Sequence, residues 1–162
     1  IGEGSEFSFN IALAQSNKKT TPLIHEDIKS KNILIIDDNA TNREIFSEQI
    51  KYWGGNTFEA ESGAIGIKMC EQFNHGKIDF IILDMQMPRM NGLEFLTTLR
   101  KDSDYKNSVV FVLTTSQDEK DIFNSYQSNI AGYFIKDEID DGLISIVDIF
   151  DAYRKVVYLP VS

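Results

Sequence analysis

Three short runs constrain this chain more than any other feature: Asn32–Ile36 (NILII), Ile78–Leu83 (IDFIIL) and Ser108–Leu113 (SVVFVL). They are apolar nearly throughout and rich in β-branched residues, instead of alternating apolar and polar. A strand of that kind is buried on both faces. Two weaker strand candidates, Thr57–Ala60 and Tyr133–Ile135, complete a set of five.

Between the strands lie stretches at helical spacing. Thr41–Trp53 places Ile45, Gln49, Ile50 and Trp53 on one side, and Gly54-Gly55 stops it. Ser62 can cap a helix running to about Phe73. Gly92 leads into a stripe of Leu93, Leu96 and Leu99. Gln117–Ser128 forms a fourth helix, and Ile139 to about Val156 a fifth, with Leu143, Ile146, Val147 and Phe150 facing inward. The order βαβαβαβαβα predicts an α/β fold with a parallel sheet covered by helices on both faces. Right-handed crossovers then point to a doubly wound five-stranded sheet of order 2-1-3-4-5.

In such a sheet the working site lies outside the carboxyl ends of the strands. The first strand ends on Asp37-Asp38, the third on Asp84, the fourth on Thr114-Thr115 and the fifth on Lys136. Taken singly, each has an ordinary explanation. An acid pair after a strand caps a turn, a threonine is a satisfied core hydroxyl, and a lysine is a solvated cation. Their joint placement at one sheet edge is what carries chemistry. Crowded carboxylates repel one another, and a hard divalent cation such as Mg²⁺ relieves that repulsion. An ammonium and a hydroxyl beside them would stabilise a phosphoryl group. An ionised carboxylate can itself be the nucleophile and needs no histidine base.

Composition removes other classes. A net charge of −9 over 162 residues argues against nucleic acid or an anionic membrane as partner. Apolar residues make up 42% of the chain, enough for a substantial core, yet the longest apolar runs are too short to span a bilayer. The chain opens without the pattern of a signal peptide. A single cysteine, Cys70, excludes an internal disulfide and fits a reducing compartment. A haloacid-dehalogenase-type phosphatase would need a second Asp two positions after Asp84, where Gln86 stands. A flavin-binding flavodoxin would need a phosphate cradle after the first strand, where Asp37-Asp38 would repel the phosphate.

ILIIDDNATNREIF, DFIILDMQMPRMNGLEFL, VVFVLTTS and GYFIK together resemble the receiver domain of two-component response regulators, from about Lys31 to about Val156. The pattern D-M-Q-M-P-x-M-N-G resembles receivers attached to hybrid histidine kinases. The resemblance implies a flavodoxin-like receiver fold over residues 31–157, followed by a tail, 158–162. It implies that Asp84 accepts a phosphoryl group from a phosphohistidine on a kinase or a histidine phosphotransfer protein. Asp38, Asp84 and the backbone carbonyl of Gln86 would bind Mg²⁺, with Asp37 acting mostly through water. Thr114 would hydrogen-bond a phosphoryl oxygen, Lys136 would pair with the phosphate, and Tyr133 would be the switch aromatic. Gln86 and Ser116 would set the lifetime of the phosphorylated state, which the domain both forms and hydrolyses. The implied location is the cytoplasm, whether or not the parent kinase is membrane-anchored. A homodimer or partner contact would use the fifth strand and its flanking helices. The alternative is a degenerate receiver that interacts without phosphorylation.

One position departs from the family pattern. Asp137 follows Lys136 where the family carries a proline with a cis peptide. A cis bond before a non-proline costs about 3 kcal/mol, so a trans bond is expected. Asp137, Glu138, Asp140 and Asp141 then crowd the start of the fifth helix, where the helix dipole tolerates them.

Residues 1–14, IGEGSEFSFNIALA, resemble instead the end of a histidine-kinase ATP-binding domain, through Gly2, Gly4, Ser5, Phe7 and Phe9. Residues 15–30 are polar and read as a linker. His25, in LIHEDIK, lacks the Arg, Thr and Pro of a phosphorylated-histidine box, and Lys29 stands where H-E-x-x-H would need histidine. It reads as a linker histidine, and His75 as a solvated turn residue.

Overall fold

The computed structural model describes residues 28–73 and 78–136. The kinase-like segment, His25, His75, Asp137 with its neighbouring acids, and the expected fifth helix lie outside them. The described elements run β1 (Asn32–Ile36), α1 (Ala40–Tyr52), β2 (Asn56–Ala60), α2 (Gly63–Gln72), β3 (Phe80–Leu83), α3 (Gly92–Leu99), β4 (Val109–Thr114), α4 (Glu119–Gln127) and β5 (Gly132–Ile135). All strand pairings are parallel, and the sheet order is β2-β1-β3-β4-β5, as the alternation of elements predicts.

Successive strand residues point to opposite faces, so each apolar strand feeds two cores. On one face Leu34, Ile36, Ile81, Leu83, Val110 and Val112 pack with Cys70 of α2 and with Phe95, Leu96 and Leu99 of α3. On the other, Ile33, Ile35, Ile82 and Leu113 pack with Phe46, Ile50 and Trp53. Ile28, in the segment read as linker, is buried in this second layer. The inner face of α1 is therefore Phe46, Ile50 and Trp53, and Ile45 is exposed. The adjacent pair Ile45-Phe46 offers two helix phases, and the larger aromatic surface takes the core. Among the described residues, no helix is long and apolar enough to cross a membrane.

Each helix start is fixed by a side-chain cap, and three of these caps follow the strand ends that carry the candidate site. Asn39 accepts from the Thr41 and Asn42 amides at α1. Asn91 and Glu94 form a reciprocal capping box at α3, and Asp118 accepts from the Lys120 amide at α4. Gly54, at φ 88°, ends α1 in a conformation that favours glycine. Gly92 serves close approach instead. A Cβ there would lie 2.7 Å from the Asp84 carbonyl oxygen, so only glycine lets α3 begin against the Asp84 loop.

Arg100 secures the opposite end of the sheet. Its guanidinium donates to the carbonyls of Ser128 (2.7 Å), Ser108 (2.9 Å), Asn129 (2.9 Å) and Lys106 (3.0 Å). One side chain thereby joins the end of α3, the approach to β4 and the turn after α4. Its fixed fork of donors suits this role, which a lysine point charge would not reproduce. Arg100→Met should cost on the order of 1–3 kcal/mol in a urea titration, because these four carbonyls lose a shared charge-assisted donor. Recovery of full stability in this variant would show that water replaces the guanidinium without loss.

Candidate functional site

Parallel pairing in register brings the ends of β1, β3, β4 and β5 to one edge, with Ile36 beside Leu83, Leu83 beside Val112 and Thr114 beside Ile135. The next residues along β1 and β3 are Asp37 and Asp84, and Lys136 follows β5. Asp37, Asp38 and Asp84 offer carboxylate oxygens that all lie within 4.8 Å of one another. Asp37 and Asp84 are buried, and Asp38 is exposed. Lys136 Nζ lies 2.8 Å from Asp37 Oδ2 and 3.6 Å from Asp84 Oδ1.

Asp37 is the most heavily engaged of the acids. It accepts from the Asn39 amide at 2.8 Å, from Asn42 Nδ2 through both oxygens (3.1 and 3.3 Å), and from Lys136. Arg43 Nη1 donates to the carbonyls of Asp37 (2.8 Å) and Asp38 (3.2 Å), which holds the β1–α1 turn in place. Asp38 is left facing solvent. This arrangement fits a cation held directly by Asp38 and Asp84, with Asp37 in a supporting position.

Asp84 has the most tension. Its Oδ1 is buried and accepts no hydrogen bond. Burial raises its pKa above the ordinary carboxylate value, and the neighbouring Asp37 charge adds to the rise. The Lys136 charge and the backbone amides of Gln86 and Met85 oppose it. A buried acceptor without a donor is costly and invites a ligand. The set of hard carboxylate oxygens, one of them orphaned, is what a Mg²⁺-sized cation would satisfy.

Around this acid, Thr114 is fully buried and its Oγ1 accepts from the Ser116 amide at 3.1 Å. Tyr133 is half-buried, and its hydroxyl donates to the Ser116 carbonyl at 3.0 Å. The Ser116 hydroxyl is turned to α4, 2.8 Å from Asp121 Oδ2. The side chain that meets Gln86 is that of Thr115, whose Oγ1 donates to Gln86 Oε1 at 3.0 Å. Asn42, Arg43 and Asp121 were not singled out from sequence, and Thr115 was named there only as the second residue of the fourth strand's end. The motif DDNATNR held the signal for Asn42 and Arg43, one helical turn after the acid pair. Cys70 offers no competing chemistry, because burial pushes its thiol up to about 11 and leaves no thiolate at neutral pH.

Comparisons with known proteins point to one family. Chemotaxis protein CheY-3 of Vibrio cholerae is 32% identical over 109 residues, covering 67% of this chain and 82% of that protein. Sensor histidine kinase CheAY of Helicobacter pylori is 32% identical over 129 residues, covering 75% of this chain and 16% of that protein. The crystal structure of the Mn²⁺-bound response regulator Rcp1 superposes with a TM-score of 0.70 at 25% identity, covering 81% of this chain and 99% of that one. With residues 33–148 matching the family described as the response regulator receiver domain, the chain belongs to that family.

Proposed function

We propose that this chain is a phosphoryl-accepting receiver of a two-component phosphorelay, with Asp84 as the acceptor. The observation that carries the proposal is the Asp84 carboxylate itself, buried and orphaned at a strand end beside two acids and an ammonium. An oxygen of ionised Asp84 attacks the phosphorus of a phosphohistidine. The phosphorus–nitrogen bond breaks, and the imidazole nitrogen leaves with the electron pair. Asp38, Asp84 and the Gln86 carbonyl would hold Mg²⁺, whose charge would offset that of the phosphoryl oxygens. Lys136 sits within reach of the same oxygens, and Thr114 has a hydroxyl proton to donate once they arrive. Tyr133, bonded to the loop after Thr114, would follow any movement of that loop.

The sensor-kinase name of the Helicobacter pylori relative supports a receiver joined to a kinase. Together with the kinase-like residues 1–14, it favours a hybrid sensor kinase as the parent, working in the cytoplasm. In that setting the partner is a kinase or a histidine phosphotransfer protein, and the expected linker of residues 15–30 joins the two units only as far as Ile28, which packs into the receiver core. Acetyl phosphate with Mg²⁺ should add a phosphoryl mass to the wild-type chain and none to Asp84→Asn. Absence of Mg²⁺-dependent uptake by the wild type would replace this reading with an interaction module that works without phosphorylation.

A further inference from the structure

We propose that Thr115 is a positioning residue that clamps the Gln86 carboxamide across the mouth above Asp84, and that the closed clamp keeps water from the phosphorylated carboxylate. The inference rests on the reading of Asp84 as the acceptor. Leu83 and Val112 pair in register, and Gln86 and Thr115 each follow three residues further on, just past the ends of neighbouring strands. Their side chains meet at 3.0 Å and close the gap between the β3–α3 and β4–α4 loops. Both residues are exposed, and an exposed hydrogen bond between free side chains is ordinarily weak. Here both backbones are pinned. Met85 and Met87 are buried on either side of Gln86, as are Thr114 and Ser116 on either side of Thr115. Little freedom is left to lose when the clamp forms. The residue expected to share this task, Ser116, has its hydroxyl committed to Asp121. Lys136 reaches Asp84 from β5, on the same side of β3 as Thr115.

The test compares the lifetime of the acyl phosphate in full-length variants loaded with acetyl phosphate and Mg²⁺. Thr115→Val should shorten the lifetime about threefold to tenfold, the equivalent of one hydrogen bond. Thr115→Ser keeps the hydroxyl and should retain a lifetime near that of the wild type. In a Gln86→Ala background, Thr115→Val should add nothing further, as expected of two residues acting as one unit. In metal-free protein, the Gln86 side-chain amide signals in NMR should lose their dispersion in Thr115→Val and keep it in Thr115→Ser. An unchanged lifetime in Thr115→Val, or its full effect persisting without Gln86, overturns the clamp while leaving the acceptor intact. No phosphorylation of the wild type overturns both.

Discussion

Lys136→Met should slow phosphoryl uptake from acetyl phosphate about a hundredfold and shift the acid limb of the pH–rate profile to higher pH. Both effects come from one geometry. Lys136 Nζ is the cation nearest the paired acids, 2.8 Å from Asp37 and 3.6 Å from Asp84. Removing a fixed cation from the path of developing phosphoryl charge typically costs about two orders of magnitude in rate. The shift in pH follows from the proposed role of Asp84, which as a nucleophile would attack only when ionised. Burial raises its pKa and Lys136 pulls it back. Without the lysine the pKa rises further, so a larger fraction of Asp84 is protonated at any given acidic pH. Lys136→Arg, which retains the charge, should show a much smaller shift. The methionine variant should also be less stable at neutral pH, on the order of 2 kcal/mol, because it leaves two buried carboxylates facing each other. Added Mg²⁺ should recover part of that loss. A pH profile that does not move in Lys136→Met would mean that the lysine does not set the ionisation of Asp84.

Asp84→Asn should shift stability in the opposite direction. The wild-type carboxylate is buried, with Oδ1 accepting no hydrogen bond. Its pKa is raised in the folded state, so folding binds the proton more tightly than the unfolded chain does. The associated stability is fully present below the unfolded value of 3.8 and is lost as pH rises through the folded value. At neutral pH the wild type therefore carries the cost of an ionised, poorly solvated acid, and asparagine removes it. Asp84→Asn should be more stable than wild type by on the order of 1–2 kcal/mol at pH 7. The difference should shrink as the pH is lowered toward 4. Mg²⁺ should stabilise the wild type and have little effect on the variant. Equal stability at both pH values would show that water or local rearrangement already relieves Asp84. A gain in stability with loss of function is the pattern of a site held at the expense of the fold.

The sheet was legible because β1, β3 and β4 are apolar on both faces, which only a covered parallel sheet accommodates. Strand order followed from the alternation with helices. The positions of Asp37, Asp84, Thr114 and Lys136 were legible for the same reason, since a residue that ends a parallel strand must lie at the carboxyl edge. What the sequence did not reveal depends on side-chain direction. Ile45 and Phe46 are neighbours of similar apolarity, and only packing against the sheet decides which one enters. Ser116 and Thr115 are adjacent hydroxyls, and the way each turns depends on Asp121 and Gln86, which approach from other elements. Arg100 reads as an ordinary cation at a helix end. Its role emerges only when the approach to β4 and the turn after α4 both present their carbonyls to it. Periodicity reports burial well and leaves such long-range polar pairings unspecified.

The central claim is that Asp84 carries the phosphoryl group, and chemical trapping tests it at the level of the residue. Borohydride reduction of the phosphorylated full-length chain converts an aspartyl phosphate to homoserine, which peptide mass mapping then locates. Homoserine at position 84, formed only with Mg²⁺ and phosphodonor present, is the result this account predicts. Homoserine at Asp37 or Asp38 instead, or at no position despite a gain of phosphoryl mass, would contradict it.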